Sequence, residues 1–351
     1  MKKIIGAKPR AAAAEVRFLT VEGEFAGQRL DNFLFRELKG VPKTHVYRII
    51  RSGEVRINKG RAQAETRLAA GDLLRLPPLR TAARAEAVGG SPPPPAREFP
   101  LLYEDEALLA IDKPAGVAVH GGSGVSSGVI EQLRTARPAA RFLELVHRLD
   151  RETSGILLVA KKRSALTALQ DQFRERETGK TYLALVEGHW PANKKVLDAS
   201  LARYLLPSRP GSSEPGERRV RVVAKDHPDA MRAVTLVKVL AQVSLPIEPA
   251  AFSLLAVTIK TGRTHQIRVH LASAGHAIAG DDKYGDFERN RALQKLGLKR
   301  MFLHAWRLQF THPVSGERMA LQAELPPELR ALMPQSALDA LAVSSPPVTY
   351  D

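Results

Sequence analysis

Residues 79–97 constrain the fold of this chain more than any other stretch, because they can contribute almost nothing to a hydrophobic core. The segment combines Gly89-Gly90 with four consecutive prolines at 92–95 and has few large apolar side chains. Glycine makes a linker flexible, whereas consecutive prolines make it stiff and extended. A chain of 351 residues that is interrupted in this way should fold as two parts. We predict that 79–97 is a linker and that the part before it can move.

The shorter part, 16–78, has the pattern of a small α/β domain. Leucine and phenylalanine recur at helical spacing from Leu30 to Leu38, and a second amphipathic helix follows. Two short strands with a turn at Lys59-Gly60 complete a helix–helix–hairpin unit. Residues 1–15, which are basic and rich in alanine, are expected to form a flexible basic arm.

The chain carries a formal charge of +16 at pH 7, which favours a polyanionic partner. Within 28–78, eleven Lys and Arg stand against five Asp and Glu. The candidate RNA contacts of this part are Arg48, Arg51, Arg56 and Lys59. The run Arg-Ser-Gly-Glu-Val-Arg-Ile-Asn at 51–58 resembles the S4 RNA-binding domain, which implies that this part tethers RNA. A basic domain that is merely solvated is the competing interpretation.

The longer part, 98–334, contains more predicted strands than helices. Strands are predicted at 108–111, 117–120, 156–160, 181–186, 254–259, 302–310 and 319–323, and helices at 164–176 and 265–274. Short turns join several neighbouring strands, which favours an α+β fold: a mixed, mainly antiparallel sheet with flanking helices. Residues 205–219 are predicted to be an irregular, mobile insertion, and 335–351 a disordered tail.

The segment 147–162 places a carboxylate among cations at the start of an apolar run. Asp150 lies between Arg148 and Arg151, and five apolar residues follow at 156–160. Such a run is typical of a buried strand. Asp150 would then be held in a fixed place by a strand anchored in the core, as functional groups on loops often are. A surface turn with alternating charges is the alternative.

The run His-Arg-Leu-Asp at 147–150, with Thr-Ser-Gly at 153–155, resembles the signature of the pseudouridine synthases that act on ribosomal RNA. Three further segments are similar to the bacterial large-subunit synthases of the C and D type: 120–124, 141–146 and 161–166. The glycine-rich first of these could cradle a phosphate or form a tight loop. The similarity covers most of the chain. It implies the α+β fold of that family and isomerisation of uridines to pseudouridine in large-subunit ribosomal RNA.

The resemblance also implies roles for residues that are far apart in the sequence. Asp150 would be the ionised carboxylate that acts at ribose C1′ when the bond from C1′ to uracil N1 breaks. Arg268 would keep Asp150 charged through a rigid, two-pronged pair, although a purely structural salt bridge is the alternative. Tyr182 would stack on a uracil taken out of its helix and take part in proton transfer. Arg148 would fill the place of the flipped base, and Arg263 would contact phosphate.

Pseudouridine formation oxidises nothing and releases no group, so we predict no small-molecule cofactor and no metal. His265 and His270 are five residues apart, about 140° around a helix, and would not share a metal ion on one helical face. The absence of cysteine fits a reducing compartment. No stretch of eighteen apolar residues could span a membrane, so we predict no membrane partner. We expect a cytoplasmic monomer.

A non-catalytic RNA-binding or ribosome-assembly protein is the alternative function. Basic surfaces would then bind RNA, and Asp150 would be structural. The simultaneous match of Asp150, Tyr182 and Arg268 to the family signature favours the enzyme.

Overall fold

The computed structural model describes residues 15–38, 41–79, 94–121, 127–206 and 217–344. The chain divides into two compact units, Met1–Pro92 and Pro93–Asp351. Nearly all of the predicted arm, most of the predicted linker and residues 122–124 of the glycine-rich run lie outside the described residues.

The first unit is a four-stranded antiparallel sheet with two helices. Its elements are β1 (Arg17–Thr20), a 3-10 turn (Gly23–Phe25), α1 (Leu30–Glu37), α2 (Lys43–Arg51), β2 (Arg56–Ile57), β3 (Gly60–Arg61) and β4 (Leu73–Leu76), with strand order β1-β4-β2-β3. The helices bury the apolar faces that their spacing predicted. Asn58 and Lys59 both have positive φ, so the hairpin turn lies one residue earlier than predicted. Strand β1 was not predicted.

The second unit contains an eleven-stranded sheet. Its strands are β5 (Leu101–Glu104), β6 (Leu108–Lys113), β7 (Glu144–Leu145), β8 (Ser154–Ala160), β9 (Gly179–Glu187), β10 (Val196–Leu206), β11 (Glu217–Val223), β12 (Met231–Ser244), β13 (Ala251–Ile259), β14 (Leu303–Thr311) and β15 (Arg318–Gln322). The main path runs β11-β10-β12-β13-β9-β14-β8-β6-β5, with β15 on β14 and β7 on β8. Only β8 and β14 pair in parallel among the described strands. The predicted mixed, mainly antiparallel α+β sheet is confirmed.

Six helices accompany this sheet in the described part of the second unit. They are α3 (Val129–Ala136), α4 (Arg163–Glu175), α5 (Gln266–Ser273), α6 (Phe287–Lys295), α7 (Pro327–Arg330) and α8 (Gln335–Val343). The two helices predicted in this part correspond to α4 and α5.

Strand β8 is buried along its whole length, as its apolar run predicted. It pairs with β6 on one side and with the start of β14 on the other. At Gly155 φ is +107°, and a Cβ atom would lie 2.2 Å from the carbonyl oxygen of Ala305. Only glycine fits this contact. The close approach fixes β14 directly beside the beginning of β8.

Residues 117–120 do not form the predicted strand. The carbonyl oxygen of Val117 accepts a hydrogen bond from the Lys113 amine at 2.9 Å. The next two carbonyl oxygens accept hydrogen bonds from the first N–H groups of α3, those of Val129 and Ile130. These groups therefore bind a side chain and a helix start instead of a neighbouring strand.

The predicted disordered tail and mobile insertion are both wrong in part. Residues 335–343 form α8, in which Ala337 is buried and Leu338 packs against the main core. Apolar residues at helical spacing give the tail a face to bury. In the insertion, the end of β10 pairs with the start of β11, Leu206 opposite Glu217. Residues 207–216 and 345–351 lie outside the described residues.

Candidate active site

The loop that carries Asp150 joins β7 to β8 and is held by the side chain of His147. The Nε2 atom of His147 accepts a hydrogen bond from the backbone N–H of Leu158 at 3.1 Å. Its ring stacks on Phe173, with 4.8 Å between centroids. Burial lowers the pKa of His147 to about 4, which agrees with a neutral ring whose Nε2 accepts this hydrogen bond. The N–H of Thr153 closes a turn onto the Asp150 carbonyl oxygen at 3.1 Å.

Lys113 fixes the other side of this loop. Its side chain is fully buried, and its Nζ donates to the carbonyl oxygens of Pro114, Val117 and Arg151 at 2.8, 2.9 and 3.2 Å. Three acceptors match the three N–H groups of an ammonium ion, although burial lowers the pKa of Lys113 to about 7. Arg151 and Gly116 add two more hydrogen bonds. The residue after Asp150 is therefore tied to the end of β6.

A buried chain of hydrogen bonds fixes the start of β8. Arg300 Nη2 donates to Ser154 Oγ at 2.8 Å, and that oxygen lies 2.8 Å from His304 Nδ1. His304 Nε2 faces a carbonyl oxygen, which can only accept, so a neutral ring carries its proton on Nε2 and the serine hydroxyl donates to Nδ1. His304 Nε2 then donates to the carbonyl oxygen of Ala323 at 3.2 Å. Burial lowers the pKa of His304 to about 4, in agreement with a neutral ring.

One cleft brings together five of the nine predicted site residues. Its lining includes Arg148, Asp150, Tyr182, Arg263 and Arg268. Four elements supply these side chains: the β7–β8 loop, β9, the turn after β13, and α5. The cleft exists because β13, β9, β14 and β8 are consecutive neighbours in the sheet.

The predicted two-pronged pair between Arg268 and Asp150 is wrong. The partner is Asp281, which accepts from Arg268 Nε at 2.7 Å and from Nη2 at 2.6 Å. Asp281 has no exposed surface. Because this carboxylate occupies one edge of the guanidinium, Asp150 meets only the remaining atom, with Oδ2 3.7 Å from Nη1. Arg268 and Asp150 form an ion pair without a short hydrogen bond.

His265 and Tyr284 complete the surroundings of Asp150, and neither was predicted as a site residue. His265 Nε2 lies 3.9 Å from Asp150 Oδ2, and its Nδ1 is 2.8 Å from the Tyr284 hydroxyl. Burial lowers the pKa of His265, while the charge of Asp150 opposes the shift. His265 has a φ of +52° immediately before α5, a conformation that side-chain periodicity does not reveal.

Tyr182 lies on β9, opposite Val257 of β13 and Ala305 of β14. Burial raises its pKa, and the nearby charge of Asp150 raises it further. The phenol is therefore held protonated, with its aromatic ring on the wall of the same cleft as Asp150.

The other four predicted contacts lie on the first unit, and all four are exposed: Arg48, Arg51, Arg56 and Lys59. Arg48 Nη2 is 3.2 Å from His45 Nε2, and Arg56 donates to the Lys59 carbonyl oxygen at 3.2 Å. None of the four forms a salt bridge with a described residue. Their charges are therefore available to a polyanion.

The described ranges contain no helix that is long and apolar enough to cross a membrane. In the same ranges, no group of three acidic or histidine side chains is placed to hold a metal ion.

Comparison with known proteins identifies both units. Residues 107–273 match the RNA pseudouridylate synthase family, and residues 28–74 match the S4 domain. Two human structures are similar to this chain, RNA pseudouridylate synthase domain containing 4 and domain containing 1. The first has 27% identity and a TM-score of 0.52, covering 69% of this chain and 92% of its own. The second has 25% identity and the same TM-score, covering 73% of this chain and all of its own.

Three curated relatives carry the name ribosomal large subunit pseudouridine synthase C. The protein from Pasteurella multocida is 48% identical, over 91% of this chain and 93% of its own. Those from Yersinia pestis and Escherichia coli are 49% and 50% identical, over 90% and 88% of this chain and 94% and 93% of theirs. At this identity over nearly the whole length, the chain belongs to the RNA pseudouridylate synthase family, in the branch of the ribosomal large subunit pseudouridine synthases.

Proposed function

We propose that this protein isomerises uridines to pseudouridine in large-subunit ribosomal RNA, and that Asp150 is its catalytic carboxylate. The names of the relatives support the substrate. The observation that carries the assignment of Asp150 is its position: it lies on a loop fixed by His147 and Lys113, in one cleft with Tyr182 and Arg268.

The reaction breaks the bond between uracil N1 and ribose C1′, turns the base and joins C5 to C1′; C5 loses its proton and N1 gains one, so the product is an isomer. Asp150 would act at C1′ in its ionised form, as carboxylates do at anomeric carbon atoms. The Arg268 guanidinium, 3.7 Å away, favours that charge. Because Asp281 holds this guanidinium by two short bonds, the charge facing Asp150 is fixed in place.

Tyr182 would hold the detached uracil by stacking, which needs a target base taken out of its helix. Its protonated phenol could donate a hydrogen bond to the base during the turn. Arg148 is exposed at the rim of the cleft, where it would take the place of the flipped base, and Arg263 would contact a neighbouring phosphate.

The first unit would tether the RNA through its four exposed cations. We propose an S4-like domain at 16–78, a linker at 79–97 and a catalytic domain at 98–334, working as a cytoplasmic monomer. The lack of cysteine is compatible with a reducing compartment.

Chemical mapping of pseudouridine in ribosomal RNA tests this function. RNA from cells with the gene should carry pseudouridines in the large subunit that are missing from cells without it, and the purified protein should restore them. The non-catalytic alternative predicts identical maps. Ribosome assembly should be measured in the same cells, because defective assembly could lower modification indirectly. Restoration of the pseudouridines by the purified protein would show that the protein itself forms them.

A further inference from the structure

A basic pocket opens beside the candidate active site, on the side of Tyr182. It shares Arg148, Tyr182 and Arg263 with the catalytic cleft and extends between α4, β9 and the end of β13. Six of its lining residues are cationic and none is acidic: Arg148, Arg174, Arg176, Lys180, Lys260 and Arg263. Among the residues that the structure describes, only Arg174 of these six forms a salt bridge, with Asp171.

Lys180 is the residue that needs explanation, because only 8% of it is exposed. Its Nζ donates to Thr178 Oγ1 at 3.1 Å and lies 5.1 Å from the centre of the Phe173 ring. No described carboxylate lies within salt-bridge distance. Burial lowers the pKa of Lys180, and the charges of Arg176 and Lys260 lower it further. A buried ammonium is normally paired, so this one lowers stability until an anion arrives.

The opposite side of the catalytic cleft differs in charge. The cavity there is lined by Asp150, Glu152 and Asp282 as well as by cations such as Arg151 and Lys283. Three carboxylates there stand against four Lys or Arg side chains and compensate most of their charge, whereas the pocket around Lys180 offers a polyanion six cations and no carboxylate. The charge distribution therefore favours the pocket around Lys180 for a bound anionic strand.

We propose that the pocket around Lys180 and Lys260 binds phosphodiester groups of the RNA strand that adjoins the target uridine. The proposal rests on the proposed function for the nature of the strand. The RNA would leave the active site past Tyr182 over this pocket, and a phosphate would supply the counter-charge that the protein withholds from Lys180.

Lys180→Met gives a distinctive test because it should move stability and binding in opposite directions. Methionine is apolar, similar in length and suited to a buried site, so removing the unpaired charge should leave the unfolding temperature unchanged or higher. Affinity for a labelled oligouridylate should fall about five- to tenfold at low salt. The slope of log affinity against log salt should decrease by about one, since one phosphate contact is lost. If Lys180 had a merely structural role, Lys180→Met would lower the unfolding temperature instead.

Two variants accompany this one. Lys260→Met changes an exposed residue of the same pocket and should reduce affinity and slope without any effect on folding. Lys238→Met removes an exposed charge on β12, outside the cavities described above, and should leave the slope unchanged.

Wild-type slopes for both pocket variants, or a slope that falls equally for Lys238→Met, would overturn the proposal. These experiments measure RNA binding, so they test the role of the pocket independently of catalysis. If the wild-type protein bound RNA through the pocket yet formed no pseudouridine, the proposed function alone would fail.

Discussion

Arg268 is clamped to Asp281, a fully buried residue, by hydrogen bonds of 2.7 and 2.6 Å, and this clamp leaves only Nη1 to face Asp150. Besides the exposed Asp282, the arginine therefore has two separate carboxylate partners. One carboxylate fixes its orientation, and the other receives its remaining charge at 3.7 Å.

Asp281→Asn should reduce catalysis through Arg268. The amide keeps the shape of the side chain but removes the charge and one acceptor oxygen, so the guanidinium loses its fixed position. We expect the single-turnover rate to fall about a hundredfold, because small displacements at an active site are costly. The free energy of unfolding should fall by about 3 kcal/mol, as in other broken buried pairs. RNA affinity should change little.

Asp282→Asn is the matched control for that variant. Asp282 lies next in the sequence and 3.5 Å from the same Arg268 Nη2, but its side chain is 73% exposed. It should therefore affect rate and stability only slightly. Equal effects of the two substitutions would contradict the orienting role of Asp281.

Tyr182→Phe should separate stacking from the function of the phenol. The ring and its packing on β9 remain, so folding and RNA affinity should stay close to those of the wild type. The rate of pseudouridine formation should fall by about a hundredfold if the hydroxyl transfers a proton. Tyr182→Leu should additionally weaken binding of the flipped base. A fully active phenylalanine variant in single-turnover assays would exclude a role for the phenol.

His147 makes stability depend on pH in a defined window. Its folded-state pKa of about 4 lies below the ordinary value of 6.5, so the unfolded chain binds a proton first as pH falls. The contribution of His147 to the free energy of unfolding is fully present above pH 6.5 and is lost as the pH decreases towards 4. The loss amounts to about 3 kcal/mol at most. His147→Gln keeps an acceptor for the Leu158 N–H but does not titrate. Urea unfolding across this window should show a smaller pH dependence for the variant than for the wild type.

The cations of the first unit should determine affinity rather than chemistry. Replacing Arg48, Arg51, Arg56 and Lys59 together by alanine should weaken RNA binding and lower its salt slope by up to about four. The rate of the bound complex at saturating RNA should be unchanged. All four side chains are exposed, so the unfolding temperature should also be unchanged. A wild-type salt slope would remove the tethering role.

The sequence predicted those features that depend on local chemistry. The run 156–160 is wholly apolar and lies in β8, which is buried along its whole length, and Asp150, Tyr182 and Arg268 lie in one cleft. The sequence could not predict that Asp281, and not Asp150, forms the two-pronged pair with Arg268, because only the fold determines these distances.

The sequence did not predict a strand that buries a polar side chain or a non-glycine residue with a left-handed backbone. Strand β12 buries Thr235 between Ala233 and Val237, so its inward face does not read as purely apolar. The Thr235 hydroxyl lies 2.9 Å from His270 Nδ1, a contact across 35 residues. Likewise, the left-handed backbone of His265 has no glycine to mark it, and the contact of its ring with Tyr284 joins residues 19 positions apart.

The central claim is that the charge of Asp150 performs the chemistry, and Asp150→Asn tests it most directly. The measurement is single-turnover release of tritium from RNA labelled at uridine C5, after folding and RNA affinity of the variant have been verified. We predict no detectable release with near wild-type affinity, because lysine and arginine contacts dominate binding. Asp150→Glu, which shifts the carboxylate by one methylene group, should be nearly inactive as well. A folded Asp150→Asn protein that kept even about a tenth of the wild-type rate, a deficit of only about 1.4 kcal/mol in the barrier, would contradict the carboxylate mechanism.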